Sequence, residues 1–164
     1  MFQATRKRQL HHERGFTIIE LCIVIAVLVI LIILVATTYG GIQEKNRNLT
    51  RQTNLEAIHQ QLEEYFNNPK NGHYPSRSDM DNSSWLAKNM PKLNPDLLVD
   101  PSSPTHSEKL VASPTFGAYA YEPTQINGTS SCESNDATCA EYTLIATYEG
   151  SVNGEKELVI HSIN

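Results

Sequence analysis

Between Leu21 and Ile42 the chain runs for twenty-two residues without a charge. A bilayer's hydrocarbon core takes about 20 apolar residues of helix to cross, so the run is long enough to span. It is rich in β-branched residues, yet in lipid only a helix closes its own backbone hydrogen bonds. A secretory signal peptide is the competing reading. Its apolar core is usually about 7–15 residues and ends at a small-x-small cleavage site. Here the run is longer, and Thr37-Thr38-Tyr39-Gly40-Gly41 follows it. The stretch therefore reads as a membrane span and speaks against a wholly soluble cytoplasmic enzyme. Of the 164 residues, about 120 remain after Ile42, enough for one small domain.

Charge divides unevenly about this span. The formal net charge is -5, but residues 1–15 carry +3, from Arg6, Lys7, Arg8 and Arg14 against Glu13. The rest of the chain therefore carries -8. An acidic body speaks against nucleic acid as a main partner, because phosphate contacts need clustered Lys and Arg. The basic leader suits the cytoplasmic side of a membrane, although Lys45, Arg47 and Arg51 lie just past the span.

Cysteine usage points the domain the other way, out of the cytoplasm. Cys22 falls inside the apolar run and reads as a small buried hydrophobe. Cys132 and Cys139 flank a polar loop, which suggests a disulfide and an oxidising compartment. A metal site is the weaker reading, since neither a Cys-x-x-Cys pair nor a nearby His pair is present.

Helical periodicity continues past the membrane. Ile42, Leu49, Leu55, Ile58, Leu62, Tyr65 and Phe66 recur at helical spacings, and Asn67-Asn68-Pro69 ends the pattern. One helix from Phe16 to Phe66 is expected, with Gly40-Gly41 as its natural bend. A short helix is expected over Ser84–Asn89, capped by Ser83 or Ser84. Strands are expected at Phe116–Glu122, Tyr142–Tyr148 and Glu157–Ser162, with a turn at Val152-Asn153-Gly154. The fold class that follows is α+β. A long N-terminal helix, membrane-spanning in its first half, packs against a small antiparallel sheet. The divisions expected are a leader over 1–15, a transmembrane helix over 16–42 and an extracytoplasmic domain over 43–164.

The stretch Arg14-Gly15-Phe16-Thr17-Ile18-Ile19-Glu20-Leu21 is the most informative. A carboxylate in an otherwise apolar span is costly and usually has a partner. Cleavage after Gly15 would give Phe16 a positive amine, and a helix N-terminus also favours a nearby negative charge. Glu20 would then pair with the amine of a neighbouring helix. The plain alternative is that Glu20 sits at the interface and reaches water.

In these residues the chain resembles the type IV pilin family, including the pseudopilins of type II secretion. Residues 8 to about 66 carry the resemblance; the remainder is similar in arrangement only, with a Tyr74-Pro75 loop, an Asp100-Pro101 segment, late strands and a disulfide loop. The resemblance implies removal of residues 1–15 by a prepilin peptidase and methylation of Phe16. It also implies that Glu20 guides docking between subunits. The partners implied are the membrane, copies of the chain and other pilins in a filament, an assembly platform and an assembly ATPase. The N-terminus is then cytoplasmic in the precursor, and the assembled filament is periplasmic or at the cell surface. Many family members have proline at the position of Thr37, a departure that leaves Gly40-Gly41 to supply a bend.

Other signals have plain readings. His11 and His12 read as solvated tail residues. Glu133, Asp136 and Glu141 could bind calcium, but they lack EF-hand spacing and read as a solvated acidic loop. Tyr119, Tyr121, Tyr142 and Tyr148 read as strand packing rather than a binding surface. Asn48, Asn82 and Asn127 head glycosylation-type triplets that arise easily by chance. No Gly-x-Ser-x-Gly elbow or phosphate-binding loop is present, and no cofactor or metal is expected. The expectation is a filament subunit and not an enzyme: a pilin, pseudopilin or competence pilus subunit. A permanently anchored extracytoplasmic binding domain is the alternative from another class.

Overall fold

The computed structural model describes residues 15–107, 109–126, 130–133 and 139–163. His11, His12, Asn127 and Asp136 lie outside the described residues. The chain divides into two compact units, one ending at Gly41 and one beginning at Ile42.

Helix α1 runs from Ile18 to Phe66, and Gly40 and Gly41 lie inside it without interrupting its helical backbone. In the first unit its described side chains are bare. Fifteen large apolar residues between Ile18 and Val35 are each 45–85% exposed. Burying one such side chain is worth about 1.5–3 kcal/mol. Left in water, this stretch would forgo tens of kcal/mol of apolar burial. It is long and apolar enough to cross a membrane. Cys22 lies on the same exposed surface and is not buried within the described chain.

The second unit is α+β. The outer part of α1 packs on an antiparallel sheet of β1 (Ala120–Gln125), β2 (Cys139–Val152) and β3 (Glu155–His161), in the order β1-β2-β3. Tyr121 faces Leu144, which faces Ile160, so the registers align one apolar row across all three strands. Val152-Asn153-Gly154 turns as expected, with positive φ at Asn153 and Gly154, which suits a tight hairpin.

The first strand starts later than its alternating pattern suggests. Thr115 bridges Ala118, and Gly117 takes φ +83°, so residues 115–118 form a tight turn and the strand begins at Ala120. Helix α2 (Arg77–Met80) starts in a reciprocal cap between Ser76 and Asp79. Helix α3 (Ser83–Asn89) is capped not by a serine but by Asn82, whose side chain accepts the N–H groups of Ser84 and Trp85. A 3-10 turn follows at Pro95–Leu98.

The core joins Leu55, Ile58 and Leu62 of α1 to Tyr121, Tyr142 and Leu144 of the sheet. The helix stripe differs from the expected one at its start. Ile42 and Leu49 are exposed, and Asn48 and Arg51 occupy the inward positions instead. The inward line Asn48, Arg51, Leu55, Ile58, Leu62, Tyr65 steps by three and four residues, as one helix face requires. Its first two positions are polar and the rest apolar.

Candidate functional site

The first candidate is the segment that enters α1. Gly15, Phe16 and Thr17 are exposed and not helical. Thr17 caps the helix: its Oγ1 accepts the Glu20 N–H at 3.3 Å, and its carbonyl accepts the Leu21 N–H at 3.2 Å. A Cβ added at Gly15 would meet nothing within 4 Å. The described fold therefore leaves space for a side chain at that position. Glu20 is exposed in the first helical turn, where the positive end of the helix dipole favours a carboxylate. It is the only charged residue between Arg14 and Glu44. Gly15, Phe16 and Glu20 thus lie together at one helix entry. The capping role of Thr17 has a local signal, because Thr-Ile-Ile-Glu follows the Ser/Thr-x-x-Glu order of a helix start.

The second candidate is a polar anchor at the inner end of the domain. Arg51, fully buried, donates to both Asp100 oxygens at 2.8 and 3.0 Å. It also donates to Asn48 at 2.7 Å, Ser102 at 2.9 Å and Glu149 at 3.1 Å. Glu149 takes further hydrogen bonds from Arg47 Nε and the Ser102 hydroxyl, both at 2.6 Å. Asn48 then clasps the backbone of Glu149 through both ends of its amide, at 3.0 Å each. The Phe116 ring lies 5.5 Å from the Arg51 guanidinium carbon. α1, the loop at Asp100–Ser102 and the end of β2 are thereby tied by charge-assisted bonds.

Electrostatics follow the geometry. Burial opposes the charge on Arg51, but Asp100 and Glu149 outweigh it and raise its pKa. The hydrogen bond from Arg47 leads in holding Glu149 down, to about 2 from an ordinary 4.5. A carboxylate held low stabilises the fold above its unfolded pKa and loses that contribution as it protonates. Stability should therefore fall as pH drops from about 4.5 to about 2. Urea midpoints across that window should decline in the native protein and decline less in Glu149→Gln. Equal slopes would remove Glu149 from the acid response.

A third cluster surrounds Glu63, a buried carboxylate of α1. Tyr142 donates to it at 2.9 Å, Tyr74 at 3.0 Å, and the backbone N–H of Ile163 at 3.3 Å. His59 Nδ1 lies 2.6 Å from the Tyr142 hydroxyl. Burial, then the bond to Glu63, pushes the Tyr142 pKa up. These groups are engaged with one another and with the C-terminal segment. Tyr119, Tyr121 and Tyr148 are likewise buried.

Cys132 and Cys139 are both buried in the core. The Cys132 N–H donates to Pro123 at 2.9 Å, and the Cys139 carbonyl accepts from Tyr74 at 2.9 Å. Both cysteines are thus held where β1 meets the segment leading into α2. Of the glycosylation-type triplets, Asn48 is buried in the anchor and Asn82 caps α3, so both side chains already have structural roles. Among the described residues, no three His, Cys, Asp or Glu side chains are grouped to hold a metal ion.

Comparison of the chain with protein-family models, with curated proteins and with solved structures finds no match.

Proposed function

We propose that this chain is the membrane-inserted precursor of a subunit of a type IV pilus or a pilus-like filament. In this reading residues 1–15 form a cytoplasmic leader, which a prepilin peptidase removes after Gly15. The same enzyme methylates the new amine of Phe16. α1 then leaves lipid and packs against α1 of other subunits, with the α+β units outside. An open filament follows when one surface of a subunit meets a different surface of the next. Extraction from lipid needs a motor, so an assembly ATPase and a membrane platform belong to the same reading.

One observation carries it. The Gly15–Phe16 bond is exposed, non-helical backbone directly before a capped apolar helix, with open space around the glycine. The bare apolar surface of α1 adds support, as does exposure of Ile42 and Leu49, seven residues apart on one helix. A Cys132–Cys139 disulfide, formed in an oxidising compartment, belongs to the same reading, and closing so short a loop stabilises by about 2–3 kcal/mol.

Intact mass and N-terminal sequencing of the protein from its native membrane test the proposal. The expected chain begins at Phe16, carries one added methyl and lacks the two hydrogens of a reduced cysteine pair. Gly15→Trp should keep the leader. A native chain that retains the leader while the peptidase is active would favour a permanent anchor and end the filament reading.

A further inference from the structure

The far end of α1 and the C-terminal end of α3 enclose a shallow cleft of about 210 Å³. That is below the roughly 300–1,000 Å³ of sites for drug-sized ligands. Its chemistry has three parts. Tyr65 and Met90, both almost fully buried, line the cleft with the small apolar parts that stay accessible. The Tyr65 ring is fixed by Trp85 at 5.5 Å and, edge-on, by His73 at 6.1 Å. Three amides, Gln61, Asn68 and Asn89, line the same space. Glu64 and Lys92 also line it and pair with each other.

The amides are only partly engaged. Asn68 accepts the Lys70 N–H through Oδ1 at 3.1 Å, which leaves its Nδ2 donors. Asn89 donates through Nδ2 to the Trp85 carbonyl at 2.9 Å, which leaves Oδ1 as an acceptor. One cleft therefore offers both donors and acceptors. An anion only accepts, and an ammonium only donates. A hydroxyl does both, and adjacent hydroxyls on a ring need this mixture. The pairing of Glu64 with Lys92 removes the reason to select a charged ligand. The small accessible parts of Tyr65 and Met90 give the C–H groups of a small saturated ring an apolar contact.

From this combination we infer that the cleft between α1 and α3 binds a single neutral sugar ring. The source is a terminal residue of a surface glycan or a free monosaccharide, which share this chemistry. The site lies wholly in the unit beginning at Ile42 and does not depend on the filament reading.

The test uses the full chain, ¹⁵N-labelled, in lipid nanodiscs free of sugar-based detergent. Methyl glycosides of glucose, galactose and N-acetylglucosamine are titrated singly. At least one should shift the side-chain amide signals of Asn68 and Asn89 saturably in the millimolar range, with little change on adding salt. Gln61→Ala leaves the backbone bonds of Asn68 and Asn89 intact, and it should weaken that sugar. Asn68→Ala combined with Asn89→Ala should weaken it about tenfold or more, equivalent to about 1.4 kcal/mol. Native spectra elsewhere would show that the variants fold. Stronger response to a glycan array than to the monosaccharide would assign the glycan source, and the reverse would assign the free sugar. No saturable shift with any of the three overturns the proposal. So does binding unchanged in the variants, or tighter, salt-sensitive binding of inorganic phosphate.

Discussion

Arg51→Ala should cost the α+β unit about 3–5 kcal/mol, the usual penalty for removing one partner of a buried ion pair. A domain's whole stability is about 5–15 kcal/mol, so the variant should approach the edge of folding. The large effect comes from what alanine leaves behind. Asp100 is almost fully buried, and both of its carboxylate oxygens accept from Arg51. The Ser102 N–H, at 2.7 Å from Oδ1, would remain, but it cannot balance a charge. Glu149 retains Arg47 and should suffer less. Arg51→Lys should fall between the two, because an ammonium cannot reproduce the forked contact with Asp100 while also reaching Ser102 and Glu149. Trp85 is the chain's single tryptophan and lies against Tyr65 in the same unit, so its fluorescence can follow urea unfolding of the full chain in micelles. A loss below about 1 kcal/mol for Arg51→Ala would mean that the carboxylates are resolvated, and the anchor would not hold the fold as described.

Arg51 also shows where the sequence ceases to be legible. The α+β class, the long helix, the hairpin at Asn153-Gly154 and the Leu55-Ile58-Leu62 stripe all follow from local patterns. Each is set by periodicity or by turn chemistry that a short window contains. The anchor is not local. Arg51 meets Asp100 and Glu149 across 49 and 98 residues, and an arginine just past a membrane span reads as a surface charge. Only its phase with Leu55 and Ile58 marks it as inward, and apolar Leu49 obscures that phase. The same applies to Asn82, chosen as the α3 cap over two adjacent serines, and to Gly117, whose positive φ turns the chain before β1. At the helix entry, by contrast, the order of Gly15, Phe16, Thr17 and Glu20 is local, and α1 starts at Ile18 within it. What they do there depends on a peptidase and on neighbouring subunits, which no single chain contains.

Glu20→Ala should leave insertion and cleavage intact and abolish filaments, if the proposed docking role is right. The helix itself should be spared, because the Thr17 cap holds the backbone N–H of residue 20, and alanine retains that group. The apolar run is untouched, so the helix still enters lipid. What disappears is the one carboxylate available to the amine of a neighbouring Phe16 in a medium of low dielectric. Truncating one partner of a buried charge pair costs about 2–5 kcal/mol, and each 1.4 kcal/mol is about tenfold in an association constant. The loss recurs at every subunit added, so growth should fail rather than slow. Glu20→Gln keeps a hydrogen-bond acceptor without the charge and should give few filaments. Thr17→Ala supplies the contrast: it should lose about 1 kcal/mol of helix capping and still assemble. Filament yield by electron microscopy, read beside the mass of the membrane-bound chain, separates these outcomes. Native yields from Glu20→Ala, with a mature N-terminus at Phe16, would show that docking does not use this carboxylate.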